Sequence, residues 1–211
     1  LQVGLPLGLT YCVEVGFFLA MSILMGRISP DALAANQLTL QFFCLFSIVT
    51  FALAQGITIR VGHSVGRNDQ KAVHYATYIG IFYASAFMLL TAILYWVFPE
   101  KLISIDFDLH DAKNAVIIHL AKQLLALAAL VQLFEAPRFA LFGALRGLKD
   151  TRFTLFTSIL IFWIIALPLG YIAVPYGFAA YGIWWATILA EIIGIFLLIW
   201  QYRRKVQTYL F

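Results

Sequence analysis

Long apolar runs alternate with short polar stretches along the whole chain. A helix that crosses a bilayer needs about 20 mostly apolar residues, and six runs reach that length. They predict helices at residues 4–25, 32–59, 72–98, 111–145, 153–174 and 179–202. Continuous runs of this length favour helices over strands. The pattern therefore predicts an all-α, polytopic membrane protein whose single domain, residues 1–211, is a six-helix bundle.

The composition agrees with a membrane protein. Hydrophobic residues make up 63% of the chain and charged residues 11%. A soluble domain has about 45–50% apolar residues and about 25% charged residues. The pI of about 9.1 could suggest a nucleic-acid partner, but the basic residues cluster at the ends of apolar runs. There they report the orientation of the helices, and no nucleic-acid partner is expected.

Basic residues are distributed unevenly between alternate loops. Nine lie after predicted helices two and four and in the C-terminal tail: Arg60, Arg67, Lys71, Arg146, Lys149, Arg152, Arg203, Arg204 and Lys205. Three lie in the other loops: Arg27, Lys101 and Lys113. Because positive residues favour the cytoplasmic side, both ends of the segment are expected in the cytoplasm. The expected location is the cell membrane, in a bacterium the inner membrane.

Two acidic residues lie deep inside apolar runs. Glu14 stands about 15 Å along the first helix, and Glu135 about 16 Å before the end of the fourth. An ionisable residue within a membrane span is costly and usually faces a protein interior or a water-filled cavity. Both carboxylates are therefore expected near mid-bilayer, where they could bind a proton or a small cation such as Na⁺. No other metal site is predicted.

Each of these acids could instead have a structural role. Glu135 could form an ion pair with Arg138, three residues further along the same helix. Glu14 could be held by hydrogen bonds alone. Glu191 is a third acid within an apolar run, with a possible role in ion coupling or pairing, on a helix expected at the edge of the bundle.

Aromatic and amide side chains suggest a path for a substrate. Phe17 and Phe134 could offer ring faces to a bulky cation. Gln37 and Gln41 are four residues apart and share one helix face, and Asn36 lies beside them. These five residues are the candidates for a substrate path, although a single Phe is more often a packing residue.

The sequence shows no catalytic set. The four histidines lack the spacing of metal ligands, and the glycines do not form a phosphate-binding loop. We therefore expect neither enzymatic activity nor a cofactor other than a transported ion.

Four motifs, in order along the chain, resemble the multidrug and toxic compound extrusion (MATE) family. The first is Gly4-Leu5-Pro6 followed by Glu14-Val15, and the second runs from Asp31 to Gln37. The third joins Gln55-Gly56 to Arg60-Val61-Gly62 and Gly66. The fourth runs from Gly143, through an expected Gly-Ala-Leu-Arg-Gly turn, to Arg152. The resemblance covers essentially the whole chain and matches helices seven to twelve of a twelve-helix transporter.

The resemblance implies export of cationic or amphipathic compounds in exchange for H⁺ or Na⁺. It assigns ion coupling to the positions of Glu14 and Glu135, and an N-terminal six-helix lobe would be the partner of this chain. Many bacterial members carry Asp at the position of Glu135 and Gln at that of Arg138. The arginine found here favours H⁺ over Na⁺.

Alternatives to this function remain. Six helices with both ends on one side could form a complete small bundle or half of a duplicated transporter; the first residue is not Met, which favours the half. A flippase for lipid-linked saccharides would line its groove with cations, and only Arg138 is available. A non-transporting membrane scaffold would not need Glu14 or Glu135.

Overall fold

A computed structural model describes residues 4–109, 111–174 and 178–209, and every regular element in these ranges is a helix. Six of the helices are long and apolar enough to cross a membrane. The chain is therefore an all-α, six-helix membrane bundle. The elements are α1 (Gly4–Ile28), α2 (Pro30–Gly66), α3 (Gln70–Val97), α4 (Pro99–Ile103), a 3-10 turn (Ala112–Asn114), α5 (Ala115–Gly147), α6 (Thr151–Ser158), a π-helical segment (Ile159–Ala166), α7 (Leu167–Ala173) and α8 (Ala179–Tyr209).

Helix α2 extends seven residues beyond the expected end at residue 59. The added turns stay helical because Val61 and Ser64 are buried, while Arg60 and Arg67 point outward. The turn after Gly66 contains Asn68 in a left-handed conformation, with φ 54°. The sequence pattern missed this extension because only one side of these turns is apolar.

Helix α8 also extends beyond its expected end, residue 202, to Tyr209. Two contacts hold this end of the helix. Gln201 Nε2 donates to Asp150 Oδ2 at 2.6 Å, and Lys205 Nζ lies 3.5 Å from the same oxygen. Val206 is buried within the hydrophobic core.

The fifth span is continuous from Thr151 to Ala173, although it contains Pro168. Its central part is π-helical, from Ile159 to Ala166. Proline has no N–H to donate, and Pro168 falls in the first turn of α7, directly after this wider segment. The helix thus changes from π to α type next to Pro168, whose backbone has no N–H to donate, and the span stays helical.

Helix α5 lies at the centre of the bundle and packs against α2, α3 and α8. Its Gly-Ala-Leu-Arg-Gly sequence is the last turn of the helix, which was expected to end at residue 145. A Cβ atom on Gly143 would overlap the carbonyl oxygen of Ala54, and one on Gly147 would lie 2.7 Å from Val61 Cβ. Two glycines four residues apart thus let α2 and α5 cross closely, as small residues do in membrane helix pairs.

Replacing Gly143 with Leu is expected to destabilise the bundle. The new side chain has no room against α2, and overpacking costs about 1–3 kcal/mol. The measurement is thermal unfolding of the purified protein in detergent. Gly8→Leu is the matched control, because a Cβ at Gly8 meets nothing within 4 Å; equal midpoints for the two variants would contradict the close crossing.

Candidate functional site

Arg138 of α5 is a buried arginine that lies among three acidic side chains. Arg138 is 1% exposed, and the helix continues without a break through the neighbouring Pro137. The acids are Glu14 of α1, Glu135 of α5 and Glu191 of α8. We call these four residues the Arg138 cluster. The two carboxylates that the sequence placed at the same depth thus contact the same cation.

The arginine makes two short contacts and one long one. Its Nε donates to Glu191 Oε2 at 2.7 Å, and its Nη1 donates to Glu14 Oε1 at 2.9 Å. Glu135 Oε1 lies 3.9 Å from Nη2. The sequence suggested Glu135 as the pairing partner of Arg138, but the closer partners are Glu14 and Glu191.

Two serines complete the hydrogen bonding of the acids. Ser158 Oγ donates to Glu14 Oε1 at 3.1 Å, and Ser47 Oγ donates to Glu135 Oε2 at 2.7 Å. Sequence reasoning missed both, since isolated serines in apolar helices are common. Glu135 is therefore held mainly by a neutral hydroxyl, whereas Glu14 and Glu191 are held by the guanidinium.

Aromatic rings surround the guanidinium. The Arg138 Cζ atom lies 4.7 Å from the ring centre of Phe139 and 5.1 Å from those of Phe142 and Phe162. A cation over an aromatic face is attracted by the ring quadrupole. The rings also exclude water, so the charges of the cluster act in a medium of low dielectric constant.

The π-helical segment faces the cluster, a feature that the sequence did not suggest. Ser158 immediately precedes it and Phe162 lies within it. Trp163 Nε1 donates to the Val13 carbonyl of α1 at 3.0 Å, which anchors the segment beside Glu14. Single π turns are frequent at functional sites.

The cluster has more negative than positive groups. If all four side chains are ionised, three carboxylates face one guanidinium. Glu135 and Glu191 are 3% and 1% exposed, and Glu14 is 7% exposed, so solvent screens them little. An uncompensated buried charge is strongly unfavourable, which makes the cluster suited to hold a proton or another small cation.

The sequence suggested that the helix of Glu191 lies at the edge of the bundle, and the structure shows that this is wrong. Helix α8 is among the most buried spans, because it packs against α5 and the π-helical segment. Trp184 is 1% exposed, while Trp185 and Trp200 are exposed. The tryptophans near Glu191 therefore point to different sides of α8.

The five residues of the expected substrate path do not lie together. Phe17 is fully buried, and its ring stacks on Phe162 with centres 4.8 Å apart. Asn36 is also fully buried and accepts from Trp184 Nε1 at 3.2 Å. These two side chains support packing and do not border an open path. Phe134 is half-buried against the core, whereas Gln37 and Gln41 are exposed on one face of α2.

A second buried arginine was expected in a loop. Arg146 is 6% exposed at the end of α5. Its Nη1 donates to Tyr11 Oη at 2.9 Å, and Gln55 Nε2 donates to the same oxygen at 3.2 Å. The guanidinium also lies over the Tyr11 ring, 5.2 Å from its centre. These contacts join α1, α2 and α5 at the end of the bundle that carries Arg146.

Sequence comparison identifies related proteins. The family model described as MatE matches residues 6–172. A probable multidrug resistance protein NorM of Brucella suis biovar 1 (strain 1330) is 38% identical over 184 residues, covering 87% of this chain and 39% of that protein. The multidrug resistance protein NorM of Burkholderia vietnamiensis is 31% identical over 207 residues, covering 98% and 45%. The chain thus spans less than half the length of these relatives.

The fold is also found in solved structures. A crystal structure described as MATE in the straight conformation superposes with a TM-score of 0.89. The match covers 99% of this chain and 46% of that one, at 14% sequence identity. At this identity the likeness concerns the fold alone.

Replacing Arg138 with Met is expected to lower the free energy of unfolding by about 3–5 kcal/mol, because the acids lose their buried counter-ion. Thermal unfolding in detergent would measure the loss, which should shrink at acidic pH as protonation neutralises the carboxylates. Arg203→Met removes an exposed arginine of α8 and is the control. A loss of stability that does not change with pH would show that the deficit comes from packing and not from charge.

Proposed function

The chain belongs to the MatE family, and we propose that it forms the ion-coupling half of a secondary antiporter that exports cationic or amphipathic compounds. The names of its relatives, multidrug resistance proteins, support multidrug efflux as the transport activity. The observation that carries the proposal is the buried excess of carboxylates around Arg138.

A coupling ion would balance this excess. Glu135 is the group most available for it, because Ser47 and a distant Nη2 atom are its polar contacts. Glu14 is the second site, since its short contact with Arg138 uses Oε1. We assign Glu191 to holding the guanidinium through the 2.7 Å contact with Nε.

Exchange follows if the ion and the drug neutralise the same charge. With the ion bound, the cluster attracts a cationic drug less; with the ion released, it attracts the drug more. Binding of one ligand then lowers the affinity for the other by the same factor. We assign Gln37 and Gln41 to the drug path towards a second six-helix half, and their exposure on one face of α2 supports this assignment.

We favour H⁺ over Na⁺ as the coupling ion. Arg138 already donates to one oxygen of Glu14 and one of Glu191. A metal cation beside those acids would lie close to the guanidinium, and like charges at short range in a low-dielectric interior repel strongly. A proton on Glu135 avoids this repulsion. Na⁺ held between Glu14 and Glu135 is the alternative.

We place the chain in the cell membrane with both ends in the cytoplasm, as the distribution of basic residues favours. Its partner would be an N-terminal six-helix lobe, since the relatives are more than twice as long as the matched region. The two lobes would enclose the drug path between them.

Glu135→Gln and Glu14→Gln are expected to abolish ion-coupled ethidium efflux. The amide keeps the shape of the side chain but cannot exchange a proton or neutralise a cation. Efflux from cells that express the transporter with both lobes is the measurement, repeated without Na⁺ to distinguish the two ions. Both variants should fall to the rate of cells without the transporter.

Glu100→Gln is the matched control for this experiment. Glu100 is an exposed acid that pairs with Lys122 at 2.6 Å, away from the Arg138 cluster. Its efflux should equal that of the unchanged protein. Normal efflux by both cluster variants would refute ion coupling at these acids and would favour a scaffold, or a transporter coupled elsewhere.

A further inference from the structure

A long groove separates α2 from α3, away from the Arg138 cluster. Its volume is about 1080 Å³, and its walls are mostly apolar. Its residues on α2 run from Ala52 to Gly66, Arg67 directly follows that helix, and those on α3 run from Ala72 to Tyr83. It is thus large enough for a small molecule or part of a lipid.

Two glycines shape this groove. Gly80 of α3 lets Ile57 pack against its backbone, so a Cβ there would overlap the isoleucine side chain. This contact brings the two helices together at the floor. On α2, a Cβ at Gly56 would meet nothing within 4 Å, which leaves the groove open beside the contact.

One end of the groove is basic. Arg60, His63 and Arg67 line it there, and both arginines are exposed. The nearby acid, Asp69, accepts the backbone N–H of Ala72 at 3.0 Å and caps α3. The charge at this end therefore fits an anionic ligand and disfavours a cationic drug.

The apolar part below the arginines has the depth of one lipid leaflet. Eight residues separate Arg60 from Ala52, or about 12 Å at 1.5 Å per residue. Half of a hydrocarbon core is about 15 Å. Tyr75, five residues after the start of α3 at Gln70, is 70% exposed on the groove near the arginines, and tyrosine is enriched where a membrane meets water.

We propose that this groove binds one anionic phospholipid, with its phosphate at Arg60 and Arg67 and an acyl chain in the apolar part beside Gly56. The distribution of basic residues places the arginines on the cytoplasmic side, where anionic lipids are concentrated and attract basic segments. The site is independent of ion coupling, since none of its residues belongs to the Arg138 cluster.

Native mass spectrometry of the purified transporter, carrying both lobes, tests the proposal. The probes are phosphatidylglycerol and phosphatidylcholine with identical acyl chains, and glycerol phosphate as a soluble headgroup competitor. The unchanged protein should retain phosphatidylglycerol more strongly than phosphatidylcholine. Glycerol phosphate should not displace it, because the acyl chain contributes most of the binding.

Two variants act on the two parts of the site. Arg60→Gln combined with Arg67→Gln should weaken phosphatidylglycerol binding about 25-fold, since each basic residue near an anionic lipid contributes about a factor of five. Gly56→Leu should fill the apolar part and weaken both lipids. The controls are Arg203→Gln with Arg204→Gln, two exposed arginines of α8, and Gly8→Leu.

Three results would overturn the proposal. Equal retention of the two lipids by the unchanged protein would mean that the groove is covered by the other lobe or does not select a charge. Displacement by glycerol phosphate would indicate a site for free phosphate compounds. Equal losses in the α8 control and in the groove variants would indicate general attraction to basic residues.

Discussion

The buried guanidinium of Arg138 imposes the constraint on which the rest of the structure depends. A cation in the middle of a membrane protein is tolerated only when anions from its surroundings pair with it. Here they come from α1, α5 and α8, through Glu14, Glu135 and Glu191. One side chain therefore joins three helices that are far apart in sequence. Rings of Phe139, Phe142 and Phe162 close the site from water.

The ion pairs of Arg138 do more than hold the helices together, because three carboxylates surround one guanidinium. Three acids around one arginine leave room for an added positive charge, and Glu135, held by Ser47, is the least engaged of them. In the proposed mechanism the cluster exists with and without a bound ion, while the pairs of Arg138 with Glu14 and Glu191 persist. The close crossing of α2 and α5 at Gly143 and Gly147 keeps Ser47 and Glu135 on adjoining helices.

The helices and the depth of Glu14 and Glu135 could be predicted from the sequence, because apolar length and residue counting are local properties. Spacing on one helix suggested an ion pair of Arg138 with Glu135, which is present at 3.9 Å. The closer contacts of Arg138 with Glu14 and Glu191 could not be predicted, because they depend on tertiary packing. Arg146 looked like a loop residue and is buried against Tyr11, since glycines at both sides allow the helix to continue beside α2. The polar pattern also grouped Asn36 with Gln37 and Gln41, but Asn36 is buried in the structure whereas the two glutamines are exposed.

The most direct test is to measure ion release when a drug binds to the purified transporter. In weakly buffered solution without Na⁺, binding of ethidium should release protons from the unchanged protein, whereas the Glu135→Gln variant should bind ethidium without release. If Na⁺ is the coupling ion, ethidium should instead displace bound Na⁺. A protein that binds ethidium and releases neither cation would contradict the claim that the carboxylates around Arg138 exchange an ion for the drug.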